Sequence, residues 1–374
     1  MINRQIAEIL QDRMGKGKAL IILGARQTGK TTLLKDMVKS RKNVLWLNGD
    51  EPDVKLLFEG ATSSKLRSAI GLNKIVIIDE AQQIEDIGMK LKLITDQIPE
   101  IQLVATGSSA FELANKLNEP LTGRKREFKL YPLSFSEMVK HHGLIEERRQ
   151  KNNRLVFGYY PEVISSPGAE QEVLTELLNS YLYKDILIWG KLKKAERIIK
   201  LLQALAFQVG NEVSYNELGK MTGLNNETVE KYIQLLEQAF VIFRLSSFSR
   251  NLRKELKKSR KIYFYDLGVR NALISNFMQL ELRQDTGALW ENFLIVERMK
   301  YLSYNNIYGS RYFWRTHDQQ EIDYIEERDG KLFAWEFKWN KFSKKKIPKI
   351  FGREYPNSEM KIITQENFEE FIGV

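Results

Sequence analysis

The 374-residue sequence has no cysteine and only three histidines, His141, His142 and His317. The first absence excludes disulfides, thiolate metal sites and thiol nucleophiles, and the second argues against a histidine-based catalytic centre. No apolar run approaches the roughly twenty residues that span a bilayer, and residues 1–14 read as an amphipathic helix rather than a charged stub followed by an apolar core. A cytoplasmic protein with no membrane partner is expected. Acidic residues are outnumbered, 48 Asp+Glu against 58 Lys+Arg, for a formal net charge of +10. That balance favours an anionic partner such as nucleic acid or an acidic membrane surface without establishing either. The length calls for two or three domains.

The most informative segment is Gly24, Ala25, Arg26, Gln27, Thr28, Gly29, Lys30 and Thr31, a complete G-x-x-x-x-G-K-T phosphate-binding loop followed by Thr32. It sits between the strand-like run 19–23 and a helix-like segment, 31–40, the context that separates such a loop from an ordinary glycine turn. Glycines let backbone N–H groups close on a triphosphate, Lys30 reaches the β- and γ-phosphates, and the Thr31 hydroxyl is placed to ligate Mg²⁺. ATP and Mg²⁺ are the expected cofactors. Buried strands are expected at 43–48 and 74–78, separated by a helical stretch, 52–69. The second ends in Asp79-Glu80, the pattern in which Asp79 holds Mg²⁺ and Glu80 polarises the attacking water. A further strand, 101–106, brings Thr106 or Ser108 as a sensor of the γ-phosphate, although a turn explains these residues equally well. Before the strand at 126–131 stands Arg124, either an arginine finger serving a neighbouring subunit of a homo-oligomer or part of a solvated basic turn.

The strings GARQTGKT, IIDEAQ, ATGSSA, GRKREFKLYPLSFSEM and GYYPEVI, with the later YFYDLGVRNAL, GALWENFLIVE and WRTHDQQEIDYI, resemble the prokaryotic AAA-type ATPases of the AAA_14/DUF4143 group over essentially the whole chain. The resemblance implies an additional-strand P-loop ATPase with sheet order 5-1-4-3-2.

Residues 197–208, 214–221 and 225–239 read as helix, short helix, glycine turn and second helix, the helix-turn-helix layout, with 241–246 as a wing strand. The following run, 250–261, has seven basic residues against one acid. Arg250, Arg253, Lys254, Lys257 and Lys258 are the candidate contacts to a DNA backbone, while a solvated face or a protein-docking module remains the alternative. The second helix carries Glu227, Glu230 and Lys231, a poor surface for reading bases, so phosphate contact is favoured over sequence recognition.

Near the C-terminus strands are expected at 311–315, 321–327 and 332–339, with Asp329-Gly330 as a two-residue hairpin turn. That turn sets Asp323 opposite Glu336 and Glu321 opposite Lys338, all four on one face. Opposed carboxylates repel unless a cation lies between them. Asp323 followed by Glu336-Phe337-Lys338 is the D…ExK pattern of the restriction-endonuclease-like fold, in which the carboxylates hold Mg²⁺ and the lysine acts on water; Glu291 is the candidate extra acid. A solvated hairpin with a Glu321–Lys338 ion pair is the plain alternative. The expected architecture is α/β: a P-loop core at 1–135, a helical lid or connector at 136–195, a winged-helix domain at 196–262 and a nuclease-like domain at 263–374. The expected function is Mg²⁺-dependent ATP hydrolysis on or near DNA, with a nucleotide-regulated interaction protein carrying an inactive C-terminal domain as the alternative.

Overall fold

The computed structural model describes residues 2–107, 121–179, 195–249, 260–316, 318–340 and 348–374. The chain forms two compact units, Met1–Leu133 with Gln238–Phe240, and Ser134–Glu237 with Val241–Val374.

The first unit is built on a parallel sheet of five strands: β1 (Ala19–Leu23), β2 (Val44–Asn48), β3 (Ile75–Asp79), β4 (Gln102–Gly107) and β5 (Lys125–Lys129). Their order is β2-β3-β4-β1-β5, the expected 5-1-4-3-2 arrangement read from the other edge. Strands β1 and β3 are buried at every position, as near-continuous Val, Ile and Leu runs require when a parallel sheet is covered on both faces. Because neighbours run parallel, Asn48 aligns with Asp79 and Leu23 with Gly107. The ends of β1, β3 and β4 therefore open on one edge, where open α/β sheets bind ligands. The helical stretch expected at 52–69 is two helices, Pro52–Phe58 and Ser63–Ile70. Gly60 at φ 55° interrupts them, and Thr62 caps the second by accepting a hydrogen bond from Lys65 N at 3.2 Å.

The second unit carries a mixed sheet of seven strands, adding β6 (Glu212–Val213), β7 (Ile242–Ser247), β8 (Arg260–Phe264), β9 (Ser310–Arg315), β10 (Glu321–Arg328), β11 (Lys331–Phe337) and β12 (Ser358–Ile363) in the order β12-β11-β10-β9-β7-β8-β6. Helices Ala195–Phe207, Tyr215–Thr222 and Asn226–Gln238 alternate with β6 and precede β7. The helix Thr286–Tyr304 buries residues around most of its circumference, Trp290 among them at 0% exposure. A boundary between 262 and 263 falls inside β8, whose Ile262, Tyr263 and Phe264 are fully buried and pair with β7. Through β7, paired in parallel with β9, the strands on either side of that boundary share one sheet.

Candidate active site

The nucleotide site assembles from three strand ends. The loop leaving β1 turns into the helix Lys30–Val38 through Gly29, at φ 92°. Thr28 Oγ1 donates to Ala25 O at 2.8 Å and pins the loop across its mouth. Lys30 is 5% exposed, and its ammonium donates to Gly24 O and Ala25 O, both at 2.9 Å. A β- or γ-phosphate offers charged acceptors in place of these neutral carbonyls, so nucleotide binding exchanges weaker bonds for stronger ones.

Thr31 Oγ1 donates to Asp79 Oδ2 at 2.7 Å, which sets the two expected Mg²⁺ residues side by side. Their hydroxyl and carboxylate oxygens suit a hard divalent ion held chiefly by substrate phosphates. Thr106, fully buried, donates to Asp79 Oδ1 at 2.5 Å and accepts from Glu80 N at 3.0 Å, so one hydroxyl links both acids. Glu80 has a left-handed backbone, φ 48° and ψ 43°, the kind of local strain that persists where a surrounding network fixes it. Two residues of that network were not singled out from sequence. Gln82 Nε2 donates to Glu80 Oε2 at 2.6 Å. Gly49, at the end of β2, passes so close that a Cβ there would lie 2.4 Å from Glu80 O. Neither signal is visible without the fold, since a glycine after a strand and a glutamine in a turn are both commonplace.

The structure brings Lys30, Thr31, Asp79, Glu80 and Thr106 together, with Thr32 exposed on the helix that follows. Ser108 lies outside the described residues. Arg124 stands at the other end of the sheet: its carbonyl accepts from Ala19 N, at the start of β1, and its Nε bonds Asp96 at 2.5 Å. That position keeps Arg124 out of its own subunit's site, and service to a neighbour requires release of Asp96.

In the second unit, Asp329 and Gly330 both have positive φ, 51° and 74°, and the hairpin register runs from Arg328 opposite Lys331 to Tyr324 opposite Trp335, as the turn dictates. The acids beyond are buried rather than solvated, with Asp323 at 7% and Glu336 at 0% exposure. Asp323 Oδ2 accepts from Phe337 N at 2.7 Å. Burial, together with the charges of Glu291 and Glu336, pushes the Asp323 carboxyl up to about 8. Two lysines serve these acids, Lys338 and Lys261 of β8. The Lys261 ammonium bonds Glu291 at 2.9 Å and pairs with Glu321, while Lys338 pairs with Glu336 rather than with Glu321. Burial works against the Lys261 charge, but Glu291, Glu321 and Asp323 outweigh it and hold its pKa above the ordinary lysine range. Tyr263 OH also donates to Glu291, at 2.6 Å. Among the described residues no group of three or more His, Asp or Glu side chains is disposed to hold a metal ion. As placed, Glu291 and Glu321 hold Lys261, Glu336 holds Lys338, and Asp323 accepts from the backbone. Of the histidines, His142 contacts Glu147 at 2.9 Å and His317 lies outside the described residues. Arg250, Arg253, Lys254, Lys257 and Lys258 also lie outside them. No helix among the described residues is long and apolar enough to cross a membrane.

Family models match along the chain: an AAA domain (AAA_14) at residues 16–139, a domain of unknown function (DUF8612) at 148–280 and another (DUF4143) at 286–371. An uncharacterized protein of Mycobacterium tuberculosis is 25% identical over 341 residues, 90% of this chain and 73% of that protein. An uncharacterized protein of Haemophilus influenzae is 26% identical over 282 residues, 68% of each. Among solved structures, the Walker-type ATPase PABY2304 of Pyrococcus abyssi superposes with a TM-score of 0.52 at 16% identity, over 73% of this chain and 96% of that one, a likeness of fold. The phosphate loop and strand-end acids fall inside the AAA match and the lysine-bridged acids inside or beside the DUF4143 match. The chain is a P-loop ATPase of the AAA_14/DUF4143 type.

Proposed function

We propose that this ATPase hydrolyses ATP with Mg²⁺ and acts on or near DNA, gripping the phosphate backbone without reading bases. At the nucleotide site Lys30 neutralises charge on the β- and γ-phosphates, Thr31 and Asp79 hold the metal, and Glu80 orients and deprotonates the attacking water. Mg²⁺, when bound, supplies further neutralisation of the phosphate oxygens. The observation that carries the DNA reading is element order. Helix Ala195–Phe207, β6, helices Tyr215–Thr222 and Asn226–Gln238, then β7 and β8, with β8 paired antiparallel to both β6 and β7, support a winged-helix reading. In the sequence, the basic residues Arg250, Arg253, Lys254, Lys257 and Lys258 fall between β7 and β8.

The test is duplex binding measured across a salt series. We expect log affinity to fall steeply with log salt, and a variant with Arg253, Lys254, Lys257 and Lys258 all changed to Ala to lose roughly one unit of slope per phosphate contact removed. Binding that is absent, or indifferent to both salt and the variant, sinks the reading.

The C-terminal part has a second reading, favoured by Lys261. A nuclease-like fold is supported by Asp323, Glu336 and Lys338, yet a buried ammonium already pairs with Glu291 and Glu321 beside them. The domain is then an inactive relative of nucleases that the ATPase presents to a partner. In that case incubation of DNA with the protein and Mg²⁺ or Mn²⁺, with or without ATP, leaves the DNA intact.

A further inference from the structure

We propose that Arg4 is a positioning residue for ATP hydrolysis, one that fixes the Thr28–Gly29 peptide so that its N–H faces the bound polyphosphate. The inference rests on the phosphate-loop reading.

The guanidinium of Arg4 spans two carbonyls, donating from Nη1 to Thr28 O at 2.7 Å and from Nη2 to Tyr131 O at 2.6 Å. Its own backbone is anchored. Arg4 stands one residue before the N-cap Gln5 of the helix Ile6–Arg13, whose Ile6 and Leu10 are 2% and 0% exposed, and Ala7 N donates to Arg4 O at 3.0 Å. The second carbonyl is anchored as well, because Tyr131 follows Leu130, whose N–H bonds Leu23 O of β1 at 2.7 Å. Arg4 thus ties the loop's Thr28 carbonyl to the segment that pairs with β1.

The C=O and N–H of a trans peptide point in opposite directions. Holding Thr28 O against Arg4 therefore turns Gly29 N–H the other way. Backbone N–H groups of this loop are what cradle the α- and β-phosphates. Gly29, at φ 92°, has no side chain to restrict the rotation of that peptide, so an external hold has an orientation to fix. The guanidinium also packs against this residue, since a Cβ at Gly29 would lie 3.7 Å from Arg4 Nη1. A planar fork with several donors can hold two carbonyls at once, which an ammonium does less well.

Preorganising a phosphate donor helps every ligand that has a β-phosphate, before any chemistry. In the full chain, Arg4→Ala is expected to raise the KM for ATP and the inhibition constant for ADP by the same factor. That factor is roughly ten- to a hundredfold, as for loss of a charge-assisted hydrogen bond, and kcat changes far less. Arg4→Lys, which keeps the charge and one bond, should fall between. Thermal melting of both variants separates this from mere destabilisation, which would lower the melting temperature and the active fraction, and so kcat, while KM held. An unchanged KM, a loss seen with only one of the two nucleotides, or a fall in kcat alone overturns the proposal. Wild-type turnover in the same assay reports on the phosphate-loop reading separately.

Discussion

At the scale of single residues, the site separates binding from chemistry. Lys30 is the residue proposed for the β- and γ-phosphates, and in the structure its ammonium is bonded to two of the loop's own carbonyls. Lys30→Ala should weaken nucleotide binding. Glu80 is held differently: its N–H is fixed by Thr106 and its carboxylate by the Gln82 amide. A glutamine at position 80 keeps an oxygen that accepts from Gln82 but cannot take a proton from water. Glu80→Gln should therefore bind ATP near normally while turnover falls by roughly a hundredfold to ten-thousandfold, the usual worth of a general base. Nucleotide titration and steady-state rates on the two variants check this, and rates that survive both substitutions remove Lys30 and Glu80 from the mechanism.

At the scale of elements, the hairpin β10–β11 stores a pH dependence. Asp323 has a folded pKa of about 8, raised by burial and then by Glu291 and Glu336, against roughly 3.9 for an unfolded aspartate. Between these values the folded state binds the extra proton, so the contribution of Asp323 to stability is full below about pH 4 and is lost as pH rises to about 8. Asp323→Asn removes the titration and still offers an oxygen to Phe337 N. The variant should gain on the wild type by up to a few kcal/mol as pH goes from about 5 to about 9, read from parallel melting curves. Curves that stay parallel across that range count against a raised Asp323. The hairpin itself was legible from sequence because Asp-Gly sets both the turn and the register, and β1 and β3 were legible because parallel strands buried on both faces are uninterrupted apolar runs. The partner of the acids was not legible. Lys261 comes from β8, far away in sequence, and reads there as the tail of a basic run. The same run hid the strand: β8 joins a sheet with β9 to β12 through β7, a pairing of which sequence-local patterning carries no sign. The split of residues 52–69 into two helices had a local signal, Gly60 before Thr62, that helical periodicity on both sides overrode.

At the scale of the whole molecule, nucleotide state and DNA grip must be coupled if ATP controls what the second unit does, and coupling of binding is reciprocal. If bound ATP changes duplex affinity by some factor, duplex must change ATP affinity by the same factor, whatever path connects the sites. Glu80→Gln makes the measurement clean, because ATP stays intact during the titration. The basic excess of the chain, +10, makes salt the second control: raising it weakens the phosphate contacts of both states alike and should leave the coupling factor nearly unchanged while both affinities fall. We expect a factor of roughly five or more, the lower end of typical allosteric coupling, between the ATP-bound and ADP-bound forms of Glu80→Gln. Equal duplex affinity in the two forms, matched by equal ATP affinity with and without duplex, would leave ATP hydrolysis and DNA contact as independent properties of one chain and would favour a partner other than DNA for the nucleotide-controlled step.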